Sequence, residues 1–321
     1  MRENRHLSVR VHDSTEWADK PTGKRSGLLH PFAYEAPTTI EGAVAVLDKH
    51  GDRARPIAGG TDVLVQARAN RWDLDAIVDV KNIPELTQIS HYPDGSVSIG
   101  AATPCYQIYE DQKIRDSFPG IIDAVEMIGG IQIQSRAALG GNLCNSSPSA
   151  DGICPLIAYN AVCHIAGPGG DDDHRDVAVE DFCTGPGSNV LGRGEILVSM
   201  VLPAPGDNFG AAYERFIPRN EMDIAVAGAG VSVKLSSDGS TFEAARVALA
   251  AVAPVPLVVP AAEAALIGNA VSDDVIEAAA QAAGAAATPI ADMRGTIEQR
   301  KHLSAVLTRR MINKSVERAR G

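Results

Sequence analysis

The sequence predicts an α+β chain in two parts, and three features predict it. Strand-like and helix-like segments alternate over residues 38–80, hairpin patterning follows, and a second mixed unit begins after Pro203-Ala204-Pro205-Gly206-Asp207. With 321 residues the chain exceeds one small core and fits two domains or three.

Each element has a local reason. Order is expected from Pro31-Phe32 onward, after a polar arm of mixed charge over residues 1–29 that is either mobile or docks on a partner. Thr38-Thr39-Ile40-Glu41 reads as a capping box, Ala43, Val44 and Leu47 form one apolar helical face, and Gly51 ends it. Residues 54–58 read as a short buried strand running into the Gly59-Gly60-Thr61-Asp62 turn. A short helix and a second strand, residues 76–80, come next. Residues 89–92 and 97–101 flank Pro93-Asp94-Gly95-Ser96 as a hairpin. Two helices are expected between Thr103 and Gly130, joined around Phe118-Pro119-Gly120. Residues 135–151 are rich in Gly, Ser and Asn, too polar for a core and too dense in small residues for a plain linker. Beyond the proline-rich boundary, residues 225–235 and 244–252 read as buried strands, and 263–266, 274–287 and 297–312 as helices.

Charge and composition exclude several functions. Lys and Arg number 29 against 40 Asp and Glu, a net charge of -11, whereas a nucleic-acid binder needs clustered cations. No apolar run reaches the roughly 18 residues of a membrane span; the most apolar stretch is interrupted by Pro254, Pro256 and Pro260. With no hydrophobic signal region at the N-terminus, a cytoplasmic protein is expected. Cys105, Cys144, Cys154, Cys163 and Cys183 lack the close pairing of zinc or iron–sulfur ligands, so they read as buried free thiols. Asp171-Asp172-Asp173-His174 lacks calcium-loop spacing and reads as a solvated turn. Cys163 and His164 are neighbours and on a strand would face opposite sides.

Two small-residue loops remain. In Pro56-Ile57-Ala58-Gly59-Gly60-Thr61-Asp62, the glycines let backbone N–H groups converge and a following helix adds partial positive charge. An anion site and an ordinary strand-to-helix turn both fit. The second loop, Ala138-Leu139-Gly140-Gly141-Asn142, is followed by Asn145, Ser147, Pro148 and Asp151, whose side chains can bond hydroxyls. Together the loops suit a diphosphate cofactor with a ribose or ribityl chain, with a plain surface loop as the alternative. There is no G-x-G-x-x-G fingerprint, no Walker A loop and no G-x-S-x-G elbow.

At these loops the sequence closely resembles the medium, FAD-binding subunits of the xanthine dehydrogenase (molybdenum hydroxylase) family, including the carbon monoxide dehydrogenases. Phe32-Ala33-Tyr34 and Pro37-Thr38 match the family's opening, and Ala58 to Asp62 its Ala-Gly-Gly-Thr-Asp loop. Residues 136–142 match the second glycine loop, and Asn145 through Asp151 the segment after it. Asp181-Phe182, Thr184-Gly185-Pro186-Gly187, Glu195-Ile196-Leu197 and Arg219 with Asp223-Ile224-Ala225 also match, so the likeness spans Phe32 to Arg310. Two departures stand out: Ala138 replaces Thr or Ser, which implies weaker FAD retention, and Gln299 replaces Tyr before Arg300. Met222-Asp223 stands where carbon-monoxide-type members have Gly-Asp, and no cysteine-rich insertion occurs.

The resemblance implies an α+β, vanillyl-alcohol-oxidase-like (PCMH-type) FAD-binding domain over residues 30–206, with subdomains 30–85 and 86–206. A small α+β domain over 207–316 follows. It implies that Pro56, Ile57, Ala58, Gly59, Gly60, Thr61, Asp62 and Val63 wrap the pyrophosphate, with Ile128, Ala138, Leu139, Gly140, Gly141 and Asn142 on the other side. Ser147 and Asp151 would meet ribityl or ribose hydroxyls, Leu197 the isoalloxazine, and Arg215 would replace a family Lys near the flavin. The implied partners are a large molybdopterin-binding subunit and a small subunit with two iron–sulfur clusters, assembled as a dimer of heterotrimers. The implied role is electron transfer from those clusters through FAD to NAD, a quinone or oxygen. A self-contained FAD oxidase and a flavin-free assembly subunit are the competing readings.

Overall fold

The computed structural model describes residues 29–219 and 222–321. The polar arm expected over residues 1–29 lies, but for its last residue, outside the described residues.

A three-stranded parallel sheet opens the chain. It is built from β1 (Ala33–Glu35), β2 (Ala54–Ile57) and β3 (Ala76–Asp79) in the order β1-β3-β2, with α1 (Ile40–His50) and α2 (Val63–Arg68) as crossovers. Ala43, Val44 and Leu47 are buried on one side of α1, as their spacing predicts. The cap falls one residue later than expected: the Gly42 N–H donates to Thr39 Oγ1 at 3.1 Å, not to Thr38. Gly51, at φ 53°, closes the helix through its N–H to the Leu47 carbonyl.

The middle of the chain is organised on a five-stranded antiparallel sheet. α3 (Pro84–Thr87) leads into the hairpin β4 (Ile89–His91) and β5 (Val97–Gly100). Three short helices follow where two were expected: α4 (Cys105–Glu110), α5 (Gln112–Ser117) and α6 (Pro119–Val125). Asp111 makes the extra break, because its extended backbone and carboxylate cap α5 at the Ile114 N–H. The Gly- and Asn-rich tract contains α7 (Leu139–Asn145), which buries Leu139 and Leu143, so it is less of a surface loop than its polarity suggests. Next come α8 (Ile153–Ala158), β6 (Val162–Ala166), β7 (Arg175–Ala178), α9 (Val179–Phe182), the small pair β8 (Cys183–Gly185) and β9 (Ser188–Asn189), and β10 (Ile196–Leu202). The sheet order is β4-β5-β10-β6-β7. On β6 Cys163 is fully buried while His164 faces out toward Asp176, the alternation of a half-covered strand.

The remainder is an antiparallel meander, β11 (Phe209–Phe216), β12 (Ala227–Leu235), β13 (Phe242–Ala250) and β14 (Leu257–Val258), followed by α10 (Pro260–Leu266), α11 (Asp273–Ala286) and α12 (Ile297–Arg320). Helices cover both faces of this sheet. Val231, Val233, Phe242 and Leu249 pack with the helices α10–α12, while Ala211, Tyr213, Ala248 and Ala250 join the core of the middle region around α8. Glycines make both approaches possible. A Cβ on Gly230 would come within 2.7 Å of the Cys154 carbonyl carbon, and one on Gly210 within 2.6 Å of the Ala319 nitrogen. The last helix runs past the expected Ile312 because Ser315, Val316 and Ala319 extend its buried stripe. Asp123 on α6 fastens this helix to the middle region, accepting from Lys314 Nζ at 2.9 Å and Arg318 Nη1 at 2.6 Å.

Candidate functional site

A cavity of about 420 Å³ lies where the parallel sheet meets the middle region, within the 300–1,000 Å³ range of cofactor and ligand sites. The loop after β2 and the start of α7 form its waist. Their contact is backbone to backbone: a Cβ on Gly59 would overlap the Arg136 carbonyl and lie 3.0 Å from the Ala137 nitrogen. Gly140 is pinned likewise just past β5, where a Cβ would stand 2.5 Å from Ala101 Cα. Gly60 adopts φ +77°, open to glycine at no steric cost. Gly141 differs from these, because a Cβ there would meet nothing nearer than Ala138 Cβ at 3.9 Å. It is exposed and lines the cavity as bare backbone.

What this waist offers is hydrogen-bond donors. Among the described residues no protein acceptor is recorded for the N–H groups of residues 58–63, nor for Leu139, Gly140 and Gly141 in the first turn of α7. Polar backbone left without partners in a cleft needs a ligand or water. With α2 only six residues long and α7 only seven, these local N–H groups, and not a helix macrodipole, are the main attraction for an anion.

Thirteen of the expected site residues line the cavity: Pro56, Ala58, Gly59, Gly60, Thr61, Asp62 and Val63 on one side, and Ile128, Ala138, Gly140, Gly141, Asn142 and Leu197 on the other. Five do not. Ile57 turns inward to pack with Ala67, Leu74 and Ile77, as its place on the strand dictates. Leu139 is fully buried in the middle core. Ser147 Oγ bonds Ser149 Oγ at 3.0 Å. Asp151 and Arg215 are buried and paired with each other at 2.5 Å, and Tyr213 donates its hydroxyl to the same carboxylate at 2.8 Å. Burial pushes the Asp151 carboxyl up to about 6 against the pull of Arg215 and Tyr213, so at neutral pH it is ionised and paired. Arg215 reaches the cavity indirectly, donating at 3.1 Å to the carbonyl of Met127, next to Ile128. Asn142 lines the cavity, but its Oδ1 is engaged by the Gly152 N–H at 3.0 Å, which holds the turn after α7.

Gln66, Arg55, Trp72, Asn189 and Arg193 also line the cavity and carried no sequence signal of their own. Gln66 bridges the two sides through Asn145 Oδ1 at 2.8 Å and accepts from Arg71 at 2.9 Å. Arg55, Trp72, Asn189 and Arg193 come from separate segments that only the fold brings together. Glu195 also lines the cavity and is bound to Arg175 and to the Gly192 N–H; the Arg175 pairing holds its carboxyl below the usual range. Asp62 is shifted the other way, upward, by burial. Cys144 lines the wall as a free thiol, and burial pushes it up to about 12, far from a reactive thiolate. Among the described residues no group of three or more His, Cys, Asp or Glu side chains could hold a metal ion, and no helix is long and apolar enough to cross a membrane.

Donor-lined glycine loops around a slot this size have the chemistry to take an anionic cofactor, and the comparisons with known proteins show which family the chain resembles. The family model for the FAD binding domain in molybdopterin dehydrogenase matches residues 30–205, and that for the CO dehydrogenase flavoprotein C-terminal domain matches 211–315. The chain is 33% identical to the xanthine dehydrogenase FAD-binding subunit of Escherichia coli O157:H7, over 90% of this chain and 97% of that protein. It is 30% identical to the carbon monoxide dehydrogenase medium chain of Hydrogenophaga pseudoflava, over 88% and 96%. A solved structure of carbon monoxide dehydrogenase from that organism superimposes with a TM-score of 0.85 at 30% identity, covering 91% of this chain and 99% of the other.

The chain therefore belongs to the family of FAD-binding subunits of the molybdopterin-dependent dehydrogenases, the xanthine and carbon monoxide dehydrogenase medium chains. It is an oxidoreductase subunit with a PCMH-type FAD-binding domain followed by a C-terminal domain.

Proposed function

We propose that this chain carries electrons within a molybdenum hydroxylase. It takes them from the iron–sulfur clusters of a small partner subunit, which is supplied by a molybdenum site on a large one, and delivers them to an external acceptor. The observation that carries the reading is the waist of unpaired backbone donors at Gly59, Gly60, Gly140 and Gly141, which fits the diphosphate of FAD. Bound there, FAD supplies the redox chemistry, and the protein supplies position and electrostatics. The N–H groups of residues 58–63 and 139–141 would hold the diphosphate oxygens. Ala101, Ala102, Ile128 and Leu197 offer the apolar wall that would take flat ring surface and exclude water. Arg215, held by Asp151, fixes the Met127 carbonyl behind that wall and keeps a buried cation close to it. Glu195 is committed to Arg175, so this lining carboxylate is not free to act as a general base for a substrate.

In the proposed organisation residues 30–206 form the FAD-binding unit in two subdomains, 30–85 and 86–206, and residues 207–316 the C-terminal unit. The assembly is a dimer of heterotrimers working in the cytoplasm, where five unpaired thiols are at home. The test compares the co-purified complex with the chain alone, both loaded with FAD, against a panel of aldehydes and N-heterocycles. Substrate is expected to bleach the flavin in the complex and leave it oxidised in the isolated chain, where only a chemical reductant acts. Bleaching of the isolated chain by a substrate would instead make it a self-contained oxidase.

A further inference from the structure

One end of the flavin cavity has an arrangement that the glycine loops do not account for. Trp72 lines it half-buried, with the Arg55 guanidinium 5.1 Å from the ring centroid and that of Arg71 5.6 Å away. Both arginines line the same cavity, and neither has a carboxylate partner among the described residues. Arg55 donates to the carbonyls of Asp52 and Ala54, and Arg71 to Gln66 Oε1 at 2.9 Å. Burial, with Asp52 opposing and Arg71 adding to it, lowers the pKa of Arg55. The arrangement is also built in place. Asn145 orients Gln66 at 2.8 Å, Gln66 orients Arg71, and Gly187, at φ +71°, leaves the space that Arg71 Nη2 fills.

An indole with two guanidiniums beside it, neither paired with a carboxylate, can recognise a flat ring attached to an anion, since Arg pairs with phosphate and both Arg and Trp stack on bases. We infer that Arg55, Trp72 and Arg71 form a nucleotide clamp that takes the phosphate and base of an adenylate at this end of the flavin cavity. The inference rests on the FAD reading of the cavity and deepens it. Two sources supply the same chemistry: the adenylate half of FAD itself, or a separate dinucleotide that serves as the external electron acceptor.

The test uses the full chain and the variants Trp72→Leu and Arg71→Gln, with folding checked by circular dichroism. FAD and FMN are titrated into flavin-stripped protein, and ADP-ribose, a redox-inactive adenylate, into FAD-loaded protein. If the clamp holds the cofactor, both variants weaken FAD about tenfold or more, the scale of one lost base stack or charged contact, and leave FMN unchanged. If it holds the acceptor, FAD is retained, ADP-ribose binds the loaded wild type, and the variants weaken that binding by the same factor. Folded variants that bind FAD, FMN and ADP-ribose as the wild type does overturn the clamp and leave the flavin site standing. A wild-type chain that binds neither flavin overturns the cofactor reading on which the clamp rests.

Discussion

Replacing Gly141 by Ala separates the flavin-binding role of the second loop from its role in folding. Gly141 sits in the first turn of α7, where the added Cβ would find only Ala138 Cβ, at an ordinary 3.9 Å. The backbone is already helical, so alanine there raises stability by about 0.5–1 kcal/mol through lower chain entropy and better helix propensity. The same methyl projects into the cavity beside donors that have no other acceptor. Blocking one N–H contact to a charged phosphate removes about 1.5–3 kcal/mol, or roughly ten- to a hundredfold in FAD affinity. Chemical denaturation of the flavin-free variant measures the first quantity, and fluorescence titration with FAD the second. Opposite signs are expected: a chain at least as stable that binds FAD more weakly. A more stable variant with unchanged FAD affinity would remove this loop from the cofactor site.

Other substitutions probe the neighbouring links. Gly59→Ala drives a methyl into the Arg136 carbonyl, which is backbone and cannot rotate aside, so both stability (by about 1–3 kcal/mol) and FAD binding fall together. Ala138→Ser places a hydroxyl at an N-cap that now makes no side-chain bond; denaturation should show a gain of about 1 kcal/mol, with tighter FAD retention on gel filtration. Arg215→Leu strands the buried Asp151 carboxylate and costs about 3–5 kcal/mol at pH 8. Because loss of Arg215 raises the folded pKa of Asp151 further above its unfolded value, the native state binds more protons as pH falls. The deficit of this variant should therefore shrink between pH 8 and pH 5, and a pH-independent deficit would contradict the pairing.

Much of this was legible in the sequence, for identifiable reasons. The amphipathic face of α1, the β4–β5 hairpin around Asp94-Gly95 and the two glycine loops each advertise themselves through local periodicity or turn chemistry. Strands β10 and β11 do not. Ile196–Leu202 is buried on both faces and Phe209–Phe216 is buried through its centre, which erases the alternation that marks a half-covered strand. Helix α5 went unseen because its boundary rests on one carboxylate, Asp111, inside an otherwise helical pattern. At the cavity, the sequence pointed to the glycine-loop residues whose backbone lines it. It was silent on the Asn145–Gln66–Arg71 chain, whose members meet only after the parallel sheet docks on the middle region. The family resemblance brought Asp151 and Arg215 to the site's neighbourhood, but their mutual pairing depends on β11 crossing beneath the loop that carries Asp151.

The most direct measurement is the visible spectrum of the purified full-length chain, before and after addition of FAD, with any released flavin identified. The account predicts bands near about 370 and 450 nm and FAD, not FMN, freed by denaturation, as expected of a bound flavin whose chemistry is the cofactor's own. A folded, colourless chain that takes up no added FAD would contradict it.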